Sequence, residues 1–486
     1  MKHSLVAILT ALALSSCATT PRALQAVVDA SNALGGREKI LAIKTLTIEG
    51  EATAPNVGQN TMPDGDLPVW KVTEFKRTID LANGRMRTRQ LRTAQFLFAG
   101  ANTQRQDQGL DIDVAYNVAE DGKATRAPAT AVRDRRVEML HHPIAIVRAA
   151  LDPGAKLEGF RTHENQQIVQ ITTTKGESLT LAIDAATSLP SRVTSMSDNA
   201  NMGDVAIDTV FLDYADAGGV KLPARLTTRI DKYPQFDLKV TKNTIDGEAA
   251  GLEAPGAVKS AASPATPPAV VTAQPVGAGI WWLAGSGNHR SVVFEFDDHL
   301  TLFEVPLNDA RSKAVIDKAR TLSTKPLTQA IVSHHHFDHS GGLRVAVAEG
   351  LTIVTYKDNV EFFKDLLARP HTIVPDALAK NPQPLKLVVV DDALTLKDTS
   401  MEVQLYHLKD NPREGTNLFA YVPRDRILVQ ADLYDSTWLY HYWGENVIAN
   451  IEKIRKLNVR TQVPIHGAIQ SYAEMVKTIQ SKQALR

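Results

Sequence analysis

The sequence predicts an α+β protein in which a β-rich antiparallel domain precedes a domain of alternating strands and helices. Three observations lead there. From about residue 45 to 243, apolar and polar residues alternate at period two in runs separated by turn signals. Between 246 and 276 the chain turns to Ala, Pro, Gly and Ser and loses any hydrophobic period. From 278 onward, short apolar strands alternate with amphipathic helical stretches. The 486 residues suit two or three domains at roughly 100–200 residues each.

The elements follow in order. Residues 22–45 have helical spacing, interrupted at Gly35-Gly36. Strands are expected at 72–80, 86–91, 95–97, 114–118, 178–183, 205–214, 224–230 and 237–243, and a helix at 144–151. Asn83-Gly84, Asp121-Gly122 and Gly218-Gly219 mark turns between them. Residues 22–245 therefore read as an antiparallel sheet wrapped around a helix, and 246–276 as a semi-extended linker. In the second domain, 277–486, strands are expected at 280–284, 291–296, 300–305, 329–333, 351–356, 385–390, 402–408, 417–422, 426–430 and 462–465. Helices fall at 309–322, 342–349, 359–367, 448–456 and from 469. His141-His142, before Pro143, reads as a loop end and not as a metal pair.

Composition excludes several classes. The 54 basic and 54 acidic residues give zero formal net charge, without the basic excess that nucleic-acid binding needs. Hydrophobic content of 43% with 22% charged residues is that of a folded chain, not a disordered one. A single cysteine excludes a disulfide framework and multi-cysteine metal sites. Of the 14 histidines, 10 lie after residue 280, a skew that points to metal chemistry in the second domain.

Residues 1–17 read as a targeting segment: Lys2, an apolar run from Leu5 to Leu14, then Leu14-Ser15-Ser16-Cys17. This resembles a bacterial lipoprotein signal peptide, with Cys17 the lipidation site. Ala18 after it resembles an outer-membrane sorting signal. The expectation is an exported protein, held by its lipid anchor to a membrane (the outer membrane) and facing the periplasm.

In the first domain, Leu179-Thr180-Leu181-Ala182-Ile183-Asp184, Leu189-Pro190, Asp213-Tyr214 and Gly218-Gly219-Val220 with Leu222-Pro223 carry a diffuse resemblance to periplasmic lipoprotein-carrier (LolA-like) half-barrel domains. That resemblance implies a concave apolar surface, or a structural companion to the second domain.

The chemistry lies in Ser333-His334-His335-His336-Phe337-Asp338-His339-Ser340-Gly341-Gly342. It follows an apolar strand and precedes a helix, so a loop aims several imidazoles and a carboxylate into one space. Imidazole suits zinc, and a nearby carboxylate can complete a second site or act on water. The spacing His334-x-His336-x-Asp338-His339 with trailing glycines resembles the metallo-β-lactamase superfamily signature. The resemblance covers 278–486 and implies an αββα sandwich behind the antiparallel half-barrel-like domain. It assigns His334 and His336 to a first metal site and Asp338 and His339 to a second. His335 is left as a non-ligand, Asp432 bridges, and His466 is the last ligand of the second site.

One ligand is missing from that pattern. Arg413 stands 19 residues before Asp432, where similar proteins carry a third first-site histidine. Either the Arg413 guanidinium sits by the vacated site and the second site holds one zinc alone, or His407 or Glu414 completes a distorted first site. The resemblance implies a zinc-dependent hydrolase with one or two ions. Asp338 orients the activated water and moves its proton, and the small-molecule substrate is an ester, lactone, thioester or similar. The alternative is a catalytically degenerate lipoprotein that binds a lipid or small molecule. The aromatic residues Tyr434, Trp438, Tyr440, Tyr442 and Trp443 are candidate substrate contacts, and Trp281-Trp282 reads as packing.

Overall fold

The structure is a computed structural model that describes residues 21–96, 102–285, 287–438 and 441–483. The leader with Cys17, and Tyr440, lie outside the described residues. No described helix is long and apolar enough to cross a membrane.

The first domain is one thirteen-stranded sheet in which all the pairings are antiparallel. Its first strand, Thr45–Pro55, lies in the sheet interior beside the last, Tyr233–Ile245. The chain walks outward to one edge at Ala124–Arg126, crosses through the helices Thr130–Leu140 and Pro143–Ala150, and walks back from the other edge at Lys156–His163. One face of the sheet packs around Pro21–Ala33 and Pro143–Ala150. Ala23, Val27, Ala30, Ile144, Ile146 and Val147 share one core with Leu46, Val72, Val169, Leu181 and Phe211. The apolar alternation of these strands has a helix to bury against, which is what stabilises it.

Some elements escaped the periodicity. The strand Thr103–Asp111 carries almost no apolar residue, and polar pairs across the sheet hold it to Arg85–Ala94. Arg87 grips Asp107 with two 2.7 Å bonds, and Arg85 reaches Asp111 at 2.8 Å. Gln95 and Phe96, expected in a strand, follow the end of Arg85–Ala94 and belong to none. The stretch 246–276 is not linker throughout. Gly256–Ser260 is helical, and Thr272–Gly277 adds an edge strand to the second domain, where Pro275 is tolerated.

The second domain has a seven-stranded and a six-stranded sheet. Phe294, Phe303, Ile331 and Val354 of one meet Val403, Leu405, Ala420, Val429 and Val463 of the other in a shared core. On the outer face of the first sheet, Leu302 and Ile353 pack with Val315, Ile316, Val347 and Phe363 of its helices. On that of the second, Phe419 and Leu428 pack with Val447, Met475 and Ile479. The layers run helix, sheet, sheet, helix. The strands Ile427–Gln430 and Thr461–Pro464 run parallel, which places the ends carrying Asp432 and His466 side by side.

The two domains share a continuous apolar seam. Met202, Val205 and Ile230 pack with Val305, Val315 and Phe363. Asp231 accepts from Arg369 at 2.7 Å, and Asp204 accepts from the backbone of Thr372 and Ile373 at 2.9–3.0 Å.

His141 and His142 are buried scaffold. His141 bonds Thr209 at 2.8 Å and Ser195 at 2.9 Å, and His142 caps the helix Pro143–Ala150 through Ile144 N at 3.2 Å. Burial pushes their pKa values down to about 4 and about 3. An unfolded histidine protonates near 6.5. Acidification between 6.5 and those values therefore protonates the unfolded chain first, and stability falls by up to about 1.4 kcal/mol per pH unit for each histidine. The melting temperature is expected to drop from neutral pH to about pH 5, and less steeply in His141→Gln, which keeps a donor and an acceptor without titrating.

Candidate metal centre

The histidine motif begins just after the strand Leu327–Ile331, and His336 precedes the short helix Phe337–Ser340. His334, His335, His336 and His339 are all fully buried. Burying so many imidazoles is costly unless each nitrogen has a partner, so the partners identify what the cluster is built for.

Three of the rings are fixed from behind. His339 Nδ1 donates to Glu304 Oε2 at 2.9 Å, and the other oxygen of Glu304 accepts from Ser333 N at 2.8 Å. His466 Nδ1 donates to the Asn288 carbonyl at 2.6 Å. His336 Nε2 donates to the Asn60 carbonyl at 2.8 Å. A carbonyl or carboxylate can only accept, so each ring carries its proton on the outer nitrogen and turns a lone pair inward. A carboxylate or carbonyl behind an imidazole is the arrangement that orients metal-binding histidines.

The inward atoms form two groups. In the first, His339 Nε2 and His466 Nε2 are 3.0 Å apart, and Asp432 Oδ1 lies 3.0 and 3.2 Å from them. Asp338 Oδ2 stands 3.4 and 3.6 Å from the same nitrogens. These atoms are all acceptors, and no donor lies among them. Tetrahedral zinc with ligands at about 2.0–2.1 Å spaces its ligand atoms about 3.3 Å apart, a spacing that His339, His466 and Asp432 meet as one group, with Asp338 adjoining it in a second group with His289 and His466. Without a cation, protons must fill the role. Burial opposes charge on His339 and His466, but Asp432 and Asp338 outweigh it, raising His339 well above the usual range and His466 to about 9. Burial alone would raise the carboxyls. His339 and His466, with His289 beside Asp338, instead hold Asp338 and Asp432 well below the usual carboxylate range.

The second group is incomplete. His334 Nε2 and His336 Nδ1 are buried without hydrogen-bond partners and lie 3.9 and 4.0 Å from Asp432 Oδ2. Arg413 Nη2 reaches that same oxygen at 3.1 Å. The guanidinium therefore holds the bridging oxygen that faces this group. Glu414 lies behind the histidines, 2.8 Å from His336 Nε2 and 3.3 Å from His335 Nδ1. His407 is turned away, stacked on Tyr356 at 3.9 Å and bonded to the Gly415 carbonyl at 2.9 Å.

All the residues singled out from the motif thus converge, together with Asp432 and His466. Asn288 falls in Asn288-His289-Arg290, which resembles a substrate-side loop of the superfamily in position, but Glu304 was not anticipated, nor was Gln59, which bonds Asp338 Oδ1 at 2.9 Å and Arg413 Nη2 at 3.0 Å. Glu304 follows the strand Leu300–Phe303 with φ +76, and nothing in its spacing marks it. The aromatic segment is mainly packing: Tyr434 and Trp443 are fully buried in the core under the second sheet, and Trp438 and Tyr442 pack against it. Trp281 and Trp282 also pack against the cores.

No protein-family model matches the chain, and no curated protein matches it. Solved structures to which it is similar are metallo-β-lactamase-fold proteins. The metallo-β-lactamase from Pontibacter korlensis is 14% identical over 45% of this chain and 100% of its own, with a TM-score of 0.36. The mono-zinc form of metallo-β-lactamase FIM-1 from Pseudomonas aeruginosa is 16% identical over 45% and 97%, with a TM-score of 0.35. A metallo-β-lactamase from Hirschia baltica is 16% identical over 44% and 97%, with a TM-score of 0.34.

Glu304→Ala strips acceptors from Ser333 N and His339 Nδ1. It is expected to cost about 2–3 kcal/mol of stability by chemical denaturation. Zinc titration of the same variant should show affinity lower by about 10–100-fold.

Proposed function

We propose that the chain is a zinc-dependent hydrolase of the metallo-β-lactamase superfamily, with a single zinc held by Asp338, His339, Asp432 and His466. The observation that carries this reading is the convergence of His339 Nε2, His466 Nε2 and Asp432 Oδ1, three buried acceptors within 3.0–3.2 Å of one another. Zinc bound there would supply Lewis acidity, and a water taken up in a further coordination position beside these ligands would have its pKa brought toward neutrality.

The chain's own residues do the rest. Asp338 is ionised and is the most exposed of the four, its side chain 25% accessible. It orients the attacking water and takes up its proton. Arg413 presents a permanent cation in place of the first-site histidine, beside Asp432. A substrate oxygen that becomes negative during attack gains stabilisation from that charge. Esters, lactones and thioesters, whose carbonyl oxygens develop such charge, are the substrate class proposed. Leu14-Ser15-Ser16-Cys17 supports a lipid-anchored, periplasm-facing location. The short strand-rich segments quoted above support a lipoprotein-carrier-type first domain.

Arg413 also favours a second reading, a binding protein without turnover, because it removes a ligand the superfamily pattern includes. Metal analysis and a panel of chromogenic esters and lactones separate the two. Purified protein is expected to hold a single tightly bound zinc per chain and to show chelator-sensitive turnover that Asp338→Ala abolishes. Arg413→His is expected to raise the zinc content toward two. Turnover that survives Asp338→Ala contradicts the site assignment, and zinc-free, inactive protein supports the binding reading.

A further inference from the structure

The loop 56–68 joins the first two strands of the first domain, Thr45–Pro55 and Val69–Asp80. Its tip lies against the centre of the other domain. The Asn60 carbonyl accepts from His336 Nε2 at 2.8 Å, and the Thr61 carbonyl accepts from Gly415 N at 2.9 Å. Gly58, at φ +77, lies so close to the Phe337 ring that a Cβ would stand 2.4 Å from it. Only glycine combines that backbone conformation with that approach.

Gln59 sits between these contacts. Its Nε2 donates to Asp338 Oδ1 at 2.9 Å, and its Oε1 accepts from Arg413 Nη2 at 3.0 Å. Asp338 turns its other oxygen, Oδ2, to His339 and His466, and the same Arg413 nitrogen reaches Asp432 Oδ2. A carboxamide satisfies a carboxylate and a guanidinium at once in one orientation only. Flipped, it would set oxygen against carboxylate and N–H against guanidinium. At the loop's base Val57 packs against the apolar seam shared by the two domains, which fixes the loop from a separate direction.

We propose that the first domain completes the metal centre of the second, with Gln59 as a positioning residue that sets Asp338 Oδ2 toward the zinc ligands and Arg413 toward Asp432. This inference rests on the zinc-hydrolase reading above. It makes the first domain part of the working site and not a separate carrier module. It also explains why the loop spends buried backbone carbonyls on His336 and Gly415: they keep the carboxamide in register with two charged groups.

The test uses the full chain. Gln59→Met keeps the side chain's length and removes both hydrogen bonds, and Gln59→Ala removes the side chain. Asp66→Asn, on the exposed part of the same loop, is the control. Zinc affinity is measured by competition with a chromogenic chelator, the cobalt-substituted visible spectrum reports ligand geometry, and melting of the chelated protein reports folding. Both Gln59 variants are expected to stay folded with a single melting transition somewhat below the parent's, to bind zinc about 10–100-fold more weakly and to shift the cobalt spectrum, while Asp66→Asn matches the parent in all three. Zinc affinity and a cobalt spectrum unchanged in Gln59→Met overturn this inference alone. A parent protein that takes up neither metal overturns the metal reading and this inference with it.

Discussion

The Asp432 carboxylate sets the charge balance of the whole centre. It is almost fully buried, and each oxygen meets a different kind of partner: Oδ1 two imidazoles, Oδ2 a guanidinium. A buried carboxylate is tolerated only when compensated on all sides. Its backbone is held at φ +58, a conformation that costs an aspartate about 1–3 kcal/mol. The surroundings impose it: Asn417 Nδ2 bonds the Ala431 carbonyl at 2.8 Å, and Gln430 Oε1 accepts from Leu433 N at 3.0 Å. Oδ2 is committed to the permanent cation of Arg413, whereas Oδ1 faces the inward lone pairs of His339 and His466, an all-acceptor pocket that a cation fills. The asymmetry between the two halves of the centre follows from that one difference.

The same constraint reaches into the first domain. Arg413 touches Asp432 and Gln59, and Gln59 touches Asp338, so the charged groups form a chain that crosses the domain boundary. Inter-domain motion is the default when an interface is small and polar. Here the interface joins an apolar core to buried hydrogen bonds at the centre, which argues for one rigid unit. One face of the first sheet packs around Pro21–Ala33 and Pro143–Ala150.

Most strands and helices of the second domain were legible because their buried faces are apolar runs; the edge strands Thr272–Gly277 and Ala393–Lys397, with no fully buried residue, were not. The motif was legible because four imidazoles and a carboxylate in six residues have few structural uses. Thr103–Asp111 was not, since its stability comes from side-chain pairs such as Arg87–Asp107, which leave no period in one strand. Glu304 and Gln59 were invisible for a related reason. Each acts on residues distant in sequence, Glu304 on Ser333 and His339 and Gln59 on Asp338 and Arg413, and local spacing carries no record of such pairs. Arg413 was noticed as a departure from a pattern, but its bond to Asp432 emerges only from the fold.

The most direct measurement of this account is anomalous diffraction at the zinc edge from crystals of the zinc-loaded full chain. One anomalous peak is expected, bounded by Asp338, His339, Asp432 and His466, with Arg413 still on Asp432. A peak between His334 and His336, with Arg413 displaced, would contradict it.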